Sequence, residues 1–180
     1  MTRTARRGVI EPLDPTRHDR SSFSCGVEQV DNFFKKTANK LVKADNLRVF
    51  VMLDEAGELV GFYAINAHAV DYSQLPQRYA RNRPGHGSIP AVYISMIGVD
   101  ARFAGRGYGG DLLVDCLTRI VRVADSIGVS VVMLDVLDCG DPELVEKRKR
   151  LYASYGFMPL PSNPMRLFFP IATVRQLTDE

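Results

Sequence analysis

The segment Arg102-Phe-Ala104-Gly105-Arg106-Gly107-Tyr108-Gly109-Gly110 carries the clearest chemistry in the sequence. Glycines at the start of a helix let backbone N–H groups approach a ligand with no Cβ in the way. The first amides of a helix have no acceptor within it, and the macrodipole adds positive potential there. Together these make a site for an anion such as a pyrophosphate, and Arg106 places a formal charge beside it. Three nucleotide patterns compete for the same residues. Gly105-x-Gly107-x-x-Gly110 has the dinucleotide spacing, but Asp100 to Ala104 separate it from the preceding strand, and Asp135 is only a loose match for the acid such a site needs. A P-loop ends in Gly-Lys-Ser/Thr, and Gly109-Gly110-Asp111 does not. The third pattern is Arg102-x-x-Gly105-x-Gly107, just after an apolar strand.

Two further sets of side chains can do chemistry. Tyr152 and Tyr155 lie in Leu151-Tyr-Ala-Ser-Tyr-Gly-Phe157. A phenol of pKa about 10 stays protonated at neutral pH and can serve as a general acid; both tyrosines also fit as core aromatics on a helix. Arg78, Arg81, Arg83 and His86 fall in a stretch with no acid between Asp71 and Asp100. That composition suits either a grip on RNA phosphates or a solvated charged surface. Lys147 to Arg150 and Arg166 are further cations for the same purpose. Asp71, Asp100, Glu55 and His68 are possible bases, each equally explained as a capping, surface or satisfied core residue.

The elements that must position these groups follow from periodicity. Val27, Val30, Phe33, Phe34, Ala38 and Leu41 recur at helical spacing. Arg48–Leu53 and Leu59–Ala67 flank Asp54-Glu-Ala-Gly57 and predict a hairpin. Residues 71–90, with Pro76, Pro84, Gly85 and Gly87, predict a long loop with room for a short helical turn. Ala91–Val99 is apolar almost throughout, the pattern of a strand buried on both faces. A helix follows from about Gly109 to Ile127, with Leu112, Leu113, Cys116, Leu117, Ile120 and Ala124 on one face and Gly128 as its stop. Val129–Leu137 predicts a strand. Asp141-Pro142-Glu143 opens a helix that Gly156 ends, with Glu143/Lys147 and Glu146/Arg150 as i,i+4 pairs. Met165–Ile171 predicts a last strand, with Pro170 at an edge or an end. One short strand is expected near Val9. The order predicts a mixed α/β domain around one sheet, with residues 1–180 as a single domain.

Composition narrows the class. The chain has 180 residues, 46% hydrophobic and 24% charged, which excludes a largely disordered polymer. A net charge of +2 excludes a global polycation, so any nucleic-acid contact has to come from a local patch. Cys25, Cys116 and Cys139 have no paired spacing and there are three histidines, which excludes a disulfide scaffold and a structural zinc site. No apolar run follows the basic start or reaches the length of a membrane span, so a cytoplasmic protein without a membrane partner is expected.

Arg102-x-x-Gly105-x-Gly107 resembles the acetyl-CoA pyrophosphate signature, Q/R-x-x-G-x-G/A, of the GCN5-related N-acetyltransferases (GNAT). Leu151-Tyr152-Ala-Ser-Tyr155-Gly156-Phe157 is similar to the late F/L-Y-x-x-x-G-F motif of that family, and the element order resembles its fold across nearly the whole chain. Phe23-Ser-Cys-Gly-Val-Glu-Gln-Val-Asp-Asn-Phe33, Gly61-Phe-Tyr63, Arg81-Asn82, Ile89-Pro90 and Leu113-Val-Asp-Cys-Leu-Thr-Arg119 resemble the branch of toxins from bacterial type II toxin–antitoxin systems. Asp138 to Arg150 departs from that branch in being longer and more charged.

The resemblance implies a GNAT fold: a mixed, mostly antiparallel sheet with a central splayed strand pair and flanking helices. It implies acetyl-CoA as the donor and a primary amine as the acceptor, most specifically the α-amino group of aminoacyl-tRNA. It also implies an antitoxin partner of the ribbon-helix-helix type, and a homodimer by family habit. Backbone groups of Ile97, Gly98 and Val99 would pair with the pantetheine arm, and an N–H there would polarise the thioester carbonyl. Arg102 and Ala104 to Gly110 would hold the pyrophosphate, and Tyr152 would be the general acid. No base stands out, yet an α-amine of pKa about 8 needs less help than a lysine at about 10.4. Two other readings stay open: a GNAT enzyme for a small amine, peptide or antibiotic, and a non-catalytic acetyl-CoA-binding sensor.

Overall fold

The computed structural model describes residues 8–179. Its strands are β1 (Gly8–Pro12), β2 (Arg48–Asp54), β3 (Leu59–Asp71), β4 (Ser88–Val99), β5 (Val131–Asp135), β6 (Met158–Leu160) and β7 (Asn163–Pro170). They form one mixed sheet in the order β1-β2-β3-β4-β5-β7-β6. The β4–β5 pair is parallel, and the β1–β2, β2–β3, β5–β7 and β6–β7 pairs are antiparallel. The predicted hairpin is β2–β3, closed where Asp54 accepts from the amides of Ala56 and Glu58. The helices are α1 (Glu28–Asn32), α2 (Ala38–Lys43), α3 (Gln77–Ala80), α4 (Tyr108–Ala124), α5 (Pro142–Tyr155) and α6 (Ile171–Thr178).

The chain divides into two compact units. The first comprises the residues up to Asn66 together with Ser95–Leu117. Here α1 continues through a π-helical turn, Phe33–Thr37, into α2. The Phe34 ring stacks on Phe62 of β3 at 4.0 Å, Phe33 stacks on the same ring at 6.1 Å, and Phe23 meets Phe34 edge-on at 4.8 Å. Two glycines set how closely the backbones pack. A Cβ on Gly61 would stand 2.6 Å from the carbonyl oxygen of Gly98 and 2.8 Å from Leu112. One on Gly98 would stand 2.9 Å from Val30 and 3.3 Å from Phe62. Gly98 is therefore a position of close approach. The Tyr63 hydroxyl donates to Asp115 Oδ2 at 2.7 Å, satisfying both buried polar groups.

The second unit comprises Ala67–Ile94 and Thr118–Glu180. Its core gathers Val70, Leu75, Ile89, Met133, Leu160 and Phe168 from strands and from the 71–90 loop. That loop contains the expected helical turn, as a 3₁₀ turn at Tyr72–Gln74 followed by α3. Asp141 caps α5 by accepting from the amides of Glu143 and Leu144, and Pro142 opens the helix. Gly156 ends it in the left-handed region at φ +119°.

Several expectations are corrected. Helix α4 ends at Ala124, and the chain leaves through turns in which Ser126 and Ile127 donate to the Val123 carbonyl. Gly128 is thus beyond the helix stop. On α5 the ion pair formed is Glu146–Lys149, at i,i+3. The last strand starts at Asn163, lies between β5 and β6, and ends at Pro170, which leads into the unpredicted helix α6.

Gly156→Ala tests this turn. The left-handed φ disfavours any Cβ, and the Cβ would stand 2.7 Å from the Phe169 ring. We expect a loss of about 2 kcal/mol, read from urea denaturation midpoints, given the cost of such backbone strain.

Candidate active site

The candidate anion cradle belongs to the first unit. β4 ends at Val99, and Asp100 is buried to 2% exposure. The Asp100 amide donates to the Val60 carbonyl, and its carboxylate accepts from the amides of Ser24 and Arg102 and from Arg102 Nε at 3.1 Å. Burial pushes that carboxyl upward, but the hydrogen bonds from Arg102 and Ser24 outweigh it and hold it below the usual carboxylate range. Asp100 therefore caps the 3₁₀ turn Ala101–Phe103 and is not available as a base. Arg102 spends its guanidinium on Asp100 and, at 3.5 Å, on Glu58, and its amide on Asp100.

Past that turn the backbone opens. Gly105 and Gly107 have φ of +75° and +83°, values that favour glycine. Residues 104–107 are exposed. Nothing stands within 4 Å of where a Cβ on Gly105 would be. The amides of Phe103 and Ala104 close the 3₁₀ turn and that of Asp111 donates to Gly107, whereas those of Gly105, Arg106 and Gly107 meet no acceptor among the described residues. Gly109 and Gly110 follow in the first turn of the seventeen-residue helix α4. Arg106 is exposed, 5.7 Å from the Phe103 ring centroid, and that ring meets Tyr108 edge-on at 6.0 Å. The structure thus brings Ala104 to Gly110 together as an open set of amides beside a cation. Ile97, Gly98 and Val99 form the end of β4, where burial falls from the near-complete values at Val92 and Ile94 to half-buried.

The second unit holds the other candidates. Tyr152, on the last full turn of α5, is 8% exposed with its ring edge-on to Phe157 at 5.9 Å. Tyr155 is half-buried one residue before Gly156. Arg78, Arg81 and Arg83 are all exposed. Arg78 lies over the Tyr79 ring at 4.6 Å, and Arg83 lies over Tyr72 at 3.8 Å. Of the remaining cations, Lys149 pairs with Glu146 and Arg166 is taken by Asp135. Asp71 accepts from the amide and hydroxyl of Ser73, a capping role.

One cluster escaped sequence reasoning. Tyr93 of β4, Asp135 of β5 and Arg166 of β7 meet on one sheet face. Asp135 takes a two-pronged grip from Arg166, Nε at 2.7 Å and Nη2 at 2.9 Å, and accepts from the Tyr93 hydroxyl at 2.6 Å. The Arg166 hydrogen bonds hold the Asp135 carboxyl below the usual range against burial. Burial, then the bond to Asp135, pushes the Tyr93 phenol well above the usual phenol range. His68 of β3 packs against Tyr93 with ring centroids 5.3 Å apart, and burial followed by the Arg166 charge lowers its pKa, opposed by Asp135. Nothing local in the sequence signals it: Tyr93 stands opposite Met133, two residues from Asp135, and Asp135 stands opposite Arg166, a register legible only once strand order is known.

No family model matches the chain. Individual proteins do. The chain is 64% identical over 174 residues, 96% of each chain, to a protein named Probable toxin TacT from Sinorhizobium fredii (strain NBRC 101917 / NGR234). It is 31% identical to the tRNA-acetylating toxin of Mycobacterium tuberculosis (strain ATCC 25618 / H37Rv), over 88% of this chain and 90% of that one. Among solved structures, a Tyr-to-Phe variant of KacT superposes with a TM-score of 0.84 at 22% identity, covering 95% of this chain and 99% of that chain. AtaT complexed with acetyl-methionyl-tRNAfMet superposes at 0.82 with 22% identity, covering 94% and 98%. The sheet and its flanking helices therefore have the GNAT fold. At the level of sequence the chain belongs to the GNAT toxins of toxin–antitoxin systems, the family of TacT and the tRNA-acetylating toxin.

The Asp135 cluster gives a pH prediction. Its folded-state pKa is lowered, so its stabilisation is present above the unfolded carboxyl pKa of about 3.9 and is lost as pH falls through the folded value. Asp135→Asn should cost about 2 kcal/mol at neutral pH, the worth of hydrogen bonds to a charged group. The gap between wild type and variant, read by urea denaturation at a series of pH values, should narrow below about pH 4.

Proposed function

We propose that this protein transfers the acetyl group of acetyl-CoA to the α-amino group of aminoacyl-tRNA and so stops translation. The observation that carries the reading is the set of unsatisfied amides at Gly105 to Gly107, in a chain that belongs to the family of a tRNA-acetylating toxin. The residues present fit the donor: exposed N–H groups at a long helix's N-terminus suit a diphosphate. Bound acetyl-CoA supplies an activated acetyl thioester. The amides of Gly105, Arg106 and Gly107, with the first turn of α4 from Tyr108 to Gly110, hold the diphosphate. Ala104 presents the loop, and Arg102 braces it through Asp100 and Glu58. Backbone groups of Ile97 to Val99 pair with the pantetheine arm, and an N–H among them stabilises charge on the thioester oxygen. Tyr152 holds the proton that the departing sulfur takes.

On the acceptor side, Arg78, Arg81 and Arg83 bind the RNA. An α-amino group has a sizeable neutral fraction at physiological pH, so the acceptor needs no strong base; Asp71 and Asp100 are committed to capping. An antitoxin neutralises the activity, and we assign it to the ribbon-helix-helix class. A homodimer and a cytoplasmic site of action, where aminoacyl-tRNA is found, complete the reading. The solved relatives include AtaT bound to the C-terminus of the antitoxin AtaR and acetyl-CoA.

Two variants separate donor binding from transfer. Acetyl-CoA at one hundred times its Kd should stabilise the wild type by about 2.7 kcal/mol in a thermal-shift assay. Gly107→Val, which puts a branched side chain at φ +83°, should lose that shift. Tyr152→Phe should keep it and lose acetylation of aminoacyl-tRNA by about 100-fold or more, and its expression should spare bacterial growth. Acetylation of small amines at undiminished rate after Arg81→Ala, with no acetylated tRNA from the wild type, would instead support a small-amine enzyme.

A further inference from the structure

The loop between β3 and β4 holds an arrangement that phosphate contact does not need. Tyr72 is 39% exposed. The Arg83 guanidinium carbon lies 3.8 Å from the centroid of the Tyr72 ring, and Arg83 Nη1 donates to the Ala80 carbonyl at 3.2 Å. A guanidinium in contact with a ring face and anchored by a carbonyl is held as a plane. Arg83 has no carboxylate partner among the described residues, and the nearest acid in sequence, Asp71, faces Ser73. The loop is closed beneath the pair, where the Tyr72 amide donates to the Gly87 carbonyl at 3.1 Å. Gly87, at φ +81°, leaves the ring edge clear, since a Cβ there would stand 3.4 Å from it.

The neighbouring pair shows what a purely structural contact looks like in this loop. Tyr79, under Arg78, is half-buried, meets Phe168 edge-on at 5.3 Å and reaches the Met158 sulfur with its hydroxyl. Tyr72 does not join the buried core beside it. An exposed tyrosine and a flat, uncompensated arginine are surfaces on which an unpaired base stacks. A paired A-form helix offers no such base. The acceptor amine, by contrast, is carried at an unpaired 3′ end.

We propose that the Tyr72–Arg83 pair is a stacking platform for an unpaired base of the RNA substrate, next to a phosphate held by Arg81. The inference rests on the tRNA reading and deepens it, by dividing RNA affinity into a charge part and a stacking part. Binding of deacylated tRNA and of the same tRNA trimmed of its unpaired 3′ nucleotides is measured across a salt series. Tyr72→Ala and Arg83→Lys should each weaken binding of intact tRNA by about 10-fold, the range of one lost base stack. The slope of log K against log salt should stay unchanged, as should binding of trimmed tRNA. Tyr72→Phe should keep the affinity that Tyr72→Ala loses. Arg81→Ala should weaken both RNAs and reduce the salt slope by about one. Intact tRNA bound equally by wild type and Arg83→Lys, or a loss by Tyr72→Ala equal for both RNAs, overturns the platform alone. Failure of the wild type to bind either RNA overturns the tRNA reading itself.

Discussion

A carboxylate removed from water decides where the open run of amides at Gly105 to Gly107 begins. Asp100 stands between the last residue of β4 and the glycines, and it is engaged from three sides: the Ser24 amide before α1, the Arg102 amide, and the Arg102 guanidinium. Its own amide is tied to Val60 in β3. A buried charge is tolerable only when its lone pairs are filled, so these contacts are a condition for folding this corner at all. They fix the 3₁₀ turn, and the turn's direction leaves the next three amides pointing at solvent. Arg102 therefore braces the turn, while Arg106 forms no ion pair among the described residues.

The same economy of cations runs through the second unit. Arg166 is consumed by Asp135, and Lys149 by Glu146. Arg78, Arg81 and Arg83 stand exposed with no ion pair among the described residues, in a loop whose backbone is held by α3 and by the Leu75 and Ala80 anchors in the core. A net charge of +2 leaves room for such a local cationic patch, because no acid lies between Asp71 and Asp100.

Much of this was legible in the sequence where the cause is local. The β2–β3 hairpin rests on its Asp54 turn, α5 on Asp141, Pro142 and Gly156, and the cradle on glycines within six residues. Features set by non-local register were not. Arg166 reads as a free cation until β5 and β7 are aligned, which puts Asp135 opposite it. Gly98 reads as either a bulge or a close approach until Val30 and Phe62 are seen against it. Gly128 reads as a helix stop because glycine suits that role, yet the helix had already ended at Ala124. The family motif carried the reading of Tyr152, since burial against Phe157 is also what a structural tyrosine shows.

The π-helical turn at Phe33–Thr37 has an evolutionary consequence. It lets two consecutive phenylalanines lie over the single ring of Phe62, which an unbroken α-helix would send about 100° apart. Such a turn behaves as an inserted spacer, and losing one residue from it would swing everything downstream around the axis by the same angle. A change of length at the Asp54–Gly57 tip carries no such rotation, whereas one between Glu28 and Lys43 would turn the buried Ala38 of α2 off its packing face.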